Sequence, residues 1–189
     1  MAKKRLFIAI NLPEKIKNKL IDYQIKWGNL PVRWTPKINL HITLVFIGYV
    51  NDDEMYEICN LVKSVAKRHD AFNINFKKII LGPPNKPPRM FWVEGEKSEE
   101  LAKLRDDLED SLFSSNSSGF KNKEVRAYRP HITMGRIQHE RWKELNPCPT
   151  VDEIFEREFL VETIDVMESE LKRTGAEYTI LESVNLGEK

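Results

Sequence analysis

The residues best suited to chemistry lie in two tetrapeptides far apart in the chain, His41-Ile42-Thr43-Leu44 and His131-Ile132-Thr133-Met134. Both sit in short apolar runs that read as β-strands. In a strand, residues i and i+2 share a face. Each histidine therefore stands beside its threonine, while Ile42 and Ile132 point into the interior. Two such copies facing across a cleft put two imidazoles and two hydroxyls around one point. That set matches phosphodiester chemistry. One ring takes a proton from water and the other gives one to the departing oxygen. An ordinary imidazole pKa of about 6.5 lets one ring be neutral while its partner is charged. Each role contributes roughly 10²–10⁴ in rate. The hydroxyls of Thr43 and Thr133 can donate to non-bridging phosphoryl oxygens. The scheme needs no metal and no cofactor, and no HExxH or dense His/Asp cluster argues for one. A single His-x-Thr on a strand is usually structural; the recurrence makes the pair informative. His69 and His139 lack this context and read as surface residues.

The elements needed to position these groups can be read from periodicity and turn signals. Arg5 to Asn11 reads as a buried strand, too short for the apolar core of a signal peptide. Pro13 opens a helix with Ile16, Leu20, Ile21, Tyr23 and Trp27 at helical spacing, stopped by Gly28. Asn29 to Asn39 reads as a loop, and Leu40 to Tyr49 as the first motif strand. Asn51 caps a helix to about Arg68, and Phe72 to Leu81 is a strand. A Gly-Pro-rich loop follows from Gly82, and Arg89 to Gly95 is another strand. Ser98 caps a helix carrying Leu101, Leu104, Leu108 and Leu112. Ser114 to Gly119 is a loop, then comes the second motif strand and a helical turn near Arg141. Phe159 to Glu168 reads as one strand, and Glu177 to Val184 pairs back on it as a hairpin. Strand, helix, loop and motif strand thus occur twice, from Arg5 to Leu44 and from Arg89 to Met134. The repeated order predicts an α+β fold with two pseudo-symmetric lobes. Each lobe is expected to have a mainly antiparallel sheet with helices outside, the motifs meeting in a central cleft. Residues 1–189 are expected to form a single domain of two intertwined lobes.

The chain has 189 residues, with 30 Lys plus Arg against 29 Asp plus Glu, so it lacks the basic excess of a duplex-coating protein. Binding to nucleic acid would then be local, at an end or on a single strand. No stretch approaches the ~20 apolar residues of a membrane span. Cys59 and Cys148 form no CxxC pair and fit a reducing cytoplasm. Nothing demands more than a monomer. Basic residues flank both motifs: Arg33 and Lys37 before the first, Lys123, Arg126, Arg129 and Arg136 around the second. Alternation from His131 places Arg129 on the catalytic face and Arg136 on the other, unless the strand bends at Gly135. Trp34, Phe91, Trp92 and Tyr128 are either core residues or platforms for a base.

The paired motifs, with Arg5 to Ile10 before the first and Phe46-Ile47-Gly48 after it, resemble the 2H phosphoesterase superfamily. The second motif, Tyr128-Arg129-Pro130-His131-Ile132-Thr133-Met134-Gly135-Arg136, is similar to that of its RNA 2',3'-cyclic phosphodiesterase (2'-5' RNA ligase) branch. The likeness spans nearly the whole chain. It implies a bilobal fold, RNA ends or small cyclic nucleotides as partners, and hydrolysis of 2',3'-cyclic phosphate ends to 2'-phosphates. It also implies His41 as proton donor, His131 as base, and 2'-5' ligation by the same rings. Arg129, Arg136 and Arg126 would bind phosphate, and the likeness favours Arg136. Gly135 departs from the family pattern by removing a side chain beside the cleft. Competing readings are a non-catalytic module that grips RNA ends, a phosphodiesterase for another cyclic or 2'-5' linked nucleotide, and a metal-dependent phosphatase.

Overall fold

A computed structural model describes residues 3–84, 86–113, 128–173 and 175–187. The chain builds β1 (Lys4–Asn11), α1 (Glu14–Lys26), β2 (Val32–Trp34), β3 (His41–Val50), α2 (Asp52–Ala66), β4 (Phe72–Gly82) and β5 (Met90–Gly95). It continues through α3 (Glu99–Phe113), β6 (His131–Ile137), α4 (His139–Lys143), β7 (Asp152–Val161), β8 (Thr163–Lys172) and β9 (Gly175–Asn185). The fold is α+β and antiparallel, as the repeated element order predicts, but the two expected sheets are joined through β3 and β6 into one. Its strand order is β7-β4-β5-β6-β3-β1-β8-β9, with β2 also pairing with β6.

The sheet has two halves that join where the motif strands meet. β3 and β6 share a single antiparallel register pair, Ile42 with Ile132. On either side of this joint the halves correspond strand for strand: β3-β1-β8-β9 against β6-β5-β4-β7. Ile42 and Ile132 are fully buried in the main core. That core gathers the apolar faces of α1 (Ile16, Leu20), α2 (Ile58, Val62, Val65) and α3 (Leu101, Leu104, Leu108, Leu112). Helix starts follow local chemistry. The Asn51 side chain accepts the Glu54 N–H at 2.9 Å while the Glu54 carboxylate accepts the Asn51 N–H at 2.7 Å, closing a capping box. Ser98 Oγ accepts the Leu101 N–H at 3.1 Å.

Three local expectations are corrected. The run from Phe159 to Glu168 is two strands, broken at Glu162. The apolar parity changes there, from odd positions (Phe159, Val161) to even ones (Ile164, Val166), because β7 and β8 belong to opposite halves. Five strands lie between them in the sheet order. Flat, that separation would be roughly 29 Å at ~4.8 Å per strand. One connecting residue spans under about 8 Å, so the sheet curls until its two sides meet at Glu162. The loop from Asn29 to Asn39 contains β2, whose three residues are too few to show a period, and a 3₁₀ turn, Lys37–Asn39. His69 is not a free surface residue: its Nε2 lies 2.9 Å from Asp107 Oδ2. His139 is exposed, as read. Residues Ser114 to Gly119, Lys123 and Arg126 lie outside the described residues.

Because the register pair of the joint is two buried isoleucines, truncating either opens a cavity where the motif strands meet. Ile132→Ala is expected to lower the unfolding free energy by roughly 2–5 kcal/mol, read by chemical denaturation. A change under about 0.5 kcal/mol would show that the joint is not packed as described.

Candidate active site

Antiparallel pairing at Ile42 and Ile132 sends His41, Thr43, His131 and Thr133 to the face opposite the helices. In a regular ladder, diagonal neighbours of this kind stand roughly 7–8 Å apart. The charge of His131 is felt at His41. Both rings are anchored alike. His41 Nδ1 lies 2.7 Å from the carbonyl oxygen of Asn39, and His131 Nδ1 lies 2.8 Å from that of Arg129. A carbonyl only accepts, so each Nδ1 carries the proton in the neutral ring and Nε2 is left as the reactive atom. His41 Nε2 lies 3.0 Å from Thr43 Oγ1, as the shared face predicts.

The surroundings of the two rings differ. His41 is half-buried against Phe7, at 5.1 Å between centroids, and against the ring of Tyr178, which meets it nearly edge-on at 5.3 Å and 84°. Its pKa lies below the ordinary histidine range. Burial is the main cause, followed in the same direction by the positive charges of His131 and Lys17; the bond to the Asn39 carbonyl opposes the shift. His131 instead stacks on Trp92 at 4.0 Å and 27°. The contrast arises in the strand beside each motif. Ala9 is the register partner of Thr43 where Trp92 is that of Thr133, and Asn11 partners His41 where Glu94 partners His131. Trp92 in turn lies on Gly82, where an added Cβ would come within 2.4 Å of the indole ring.

The phosphate-binding candidates can now be placed. Arg129 reaches the face of the two histidines, with Nη1 3.9 Å from Glu94, the register partner of His131. Arg136 also shares it, contrary to simple alternation. A register shift pairs Trp92 with Thr133 but Phe91 with Gly135, so Met134 and Gly135 both turn toward the core and Arg136 returns to the histidine face opposite Met90. Arg33 on β2 is the register partner of Arg136, so two exposed guanidiniums stand side by side. Gly135 does not open space beside the cleft; a Cβ there would meet Val32 and Trp34 at 2.7 and 2.8 Å. Among the aromatic candidates, Trp34 and Phe91 pack in the core. Tyr128 donates its hydroxyl to the Thr43 carbonyl at 2.9 Å, tying the approach to the second motif onto the first. Burial pushes its phenol above the usual range, so it stays a donor. Asn11, Glu94 and Tyr178 were not visible as site residues from sequence, because only strand register brings them to the rings. Among the described residues, no three His, Cys, Asp or Glu side chains cluster as metal ligands, and no helix is long and apolar enough to cross a membrane.

Comparison with known proteins agrees with this architecture. Residues 10–92 match the family model described as LigT-like phosphoesterase. A Methanocaldococcus jannaschii protein named RNA 2',3'-cyclic phosphodiesterase is 32% identical over 134 residues, covering 71% of this chain and 72% of that one. A Thermotoga maritima protein of the same name is 29% identical over 182 residues, covering 94% and 92%. A crystal structure from Thermus thermophilus superposes with a TM-score of 0.84 at 26% identity, covering 97% of this chain and 98% of that one. E. coli LigT, crystallised with 3'-AMP, shares the fold with a TM-score of 0.79 at 22% identity, covering 98% and 99%.

Two measurements test the site. Gly82→Ala is expected to push Trp92 off His131 and lower any turnover by up to roughly 10²-fold, the order of one misplaced group, with the fold retained. Unchanged turnover would remove the indole from the site. In an NMR titration the His41 midpoint should lie below the ordinary value of about 6.5 and rise in His131→Ala, which removes a repelling charge. The sign for stability follows: this ring's contribution is present above the ordinary histidine pKa and is lost as pH falls through the depressed value, because the unfolded chain binds the proton first. A midpoint at or above the ordinary value would contradict the burial and charge described.

Proposed function

The chain belongs to the LigT-like phosphoesterase family, and from that we propose that it hydrolyses RNA 2',3'-cyclic phosphate ends to 2'-phosphate ends by paired-histidine acid and base catalysis. The single observation that carries the reading is the matched anchoring of the two rings. Each Nδ1 is engaged by the carbonyl two residues back, and both rings stand on the face that also carries Thr43 and Thr133. A phosphoryl group lying between the Nε2 atoms would meet a proton acceptor on one side and a proton donor on the other.

In the hydrolytic step His131 takes a proton from water as the water oxygen bonds to phosphorus. The bond from phosphorus to the 3' oxygen breaks, and His41 delivers a proton to that oxygen, leaving a 2'-phosphate. The polarity follows the family likeness; burial lowers the proton affinity of His41, so on this polarity the anionic phosphate must restore it before the ring can donate. Thr43 and Thr133 donate to the non-bridging oxygens. Arg129 and Arg136 offer the guanidinium geometry that phosphate oxygens accept, and Arg126 is a further candidate from sequence alone. With a ribose 5'-hydroxyl in place of water, the same two rings would make a 2'-5' linkage.

The test is incubation of 2',3'-cyclic AMP and a short RNA ending in a cyclic phosphate, with EDTA present, and chromatographic identification of the phosphate isomer. Turnover to the 2'-phosphate is expected to persist in the chelator. His41→Ala and His131→Ala should each lower kcat by roughly 10²–10⁴. Loss of wild-type turnover in EDTA, or full activity in either alanine variant, would defeat the reading.

A further inference from the structure

A pocket of about 600 Å³ lies beside His41, on β1, β8 and β9, away from the joint with β6. It borders the catalytic centre through two side chains: Asn11, the register partner of His41, and Tyr178, whose ring meets the imidazole. Its polar groups form a second, separate constellation. Asp165 is 2% exposed, and its carboxylate accepts the Asn11 amide N–H at 2.6 Å. Lys17 reaches the pocket from α1 and is only 9% exposed. Its ammonium makes no hydrogen bond or ion pair among the described residues, although its charge is felt at both His41 and Glu14. Ile38, Met167 and Ile180 add apolar wall.

The stem of Lys17 is buried while its ammonium, unpaired among the described residues, ends at the pocket, where an anion can pair with it. The volume lies in the range of a small-molecule site. An aromatic ring with aliphatic neighbours suits a base, and Asp165 accepts from an N–H or O–H donor. One species meets all three demands within reach of His41: a nucleotide, bringing an anionic phosphate, a flat ring and sugar hydroxyls together.

We propose that this pocket receives the nucleotide preceding the cyclic-phosphate end. Lys17 pairs with the phosphate that links it to the terminal nucleotide, Tyr178 and Ile38 hold its base, and Asn11 with Asp165 takes its donors. This rests on the phosphodiesterase reading above and adds that the site is built for a chain rather than a mononucleotide.

The test compares kcat/KM for a dinucleotide and a mononucleotide, each ending in a 2',3'-cyclic phosphate. The wild-type protein is expected to favour the dinucleotide by about tenfold or more, the value of one charge-assisted contact. Lys17→Gln should lose most of that ratio and Lys17→Arg should keep it, with both variants folded by circular dichroism. Equal values in the wild type, an unchanged ratio in Lys17→Gln, or equal loss in both variants would overturn the subsite while leaving the hydrolytic reading standing. Absence of turnover on either substrate would overturn both.

Discussion

One register pair between two isoleucines holds the structure's chemistry together. Among the described residues, Ile42 and Ile132 form the one register pair between the motif strands, and both are withdrawn completely from solvent. Strand geometry does the rest. When the isoleucine of each His-Ile-Thr enters the core, the residues on either side of it must face the other way. Burying one methyl-rich side chain per motif therefore aims two imidazoles and two hydroxyls at a common region. A slip of one residue in either strand would send its histidine into the core, so the hydrophobic effect that stabilises the joint also sets the arrangement of the two rings.

The halves share a backbone plan and differ in what they place against each ring. Trp92 occupies the position equivalent to Ala9, and Glu94 the position equivalent to Asn11. One ring is stacked on an indole seated on a glycine; the other is half-buried between a phenyl and a phenol, with a lowered proton affinity. Acid and base catalysis at one phosphorus atom requires two groups whose environments drive their protonation apart. Duplicated motifs supply like rings, and substitutions in the adjoining strands make them unlike.

Much of the architecture was legible in the chain itself, for identifiable reasons. Helices α2 and α3 announce themselves through Asn51, Ser98 and leucines at spacings of three and four. The first motif strand is bounded by polar loops. Legibility failed where a feature depends on contacts distant in sequence. Glu162 does not look like a boundary, because the apolar alternation merely changes phase there while the chain passes between the two halves of a curled sheet. Alternation leaves the face of Arg136 to whether the strand bends at Gly135, and the irregularity at Met134 and Gly135 exists only against the partner strand β5. Trp92 could not be separated from a core aromatic until His131 was found stacked on it.

By themselves the residues determine the chemistry on offer: two imidazoles each two positions from a hydroxyl, on strands whose intervening isoleucines must be buried. Those facts are local, set by side-chain pKa and by the two-residue period of a strand. Only the tertiary structure decides that the two strands adjoin, which carbonyls hold each ring, and that Arg33 stands beside Arg136. It also decides that Lys17 borders a pocket beside His41, unpaired among the described residues. These relations join residues far apart in the chain, and they come into being only when the burial of apolar surface brings the strands into register.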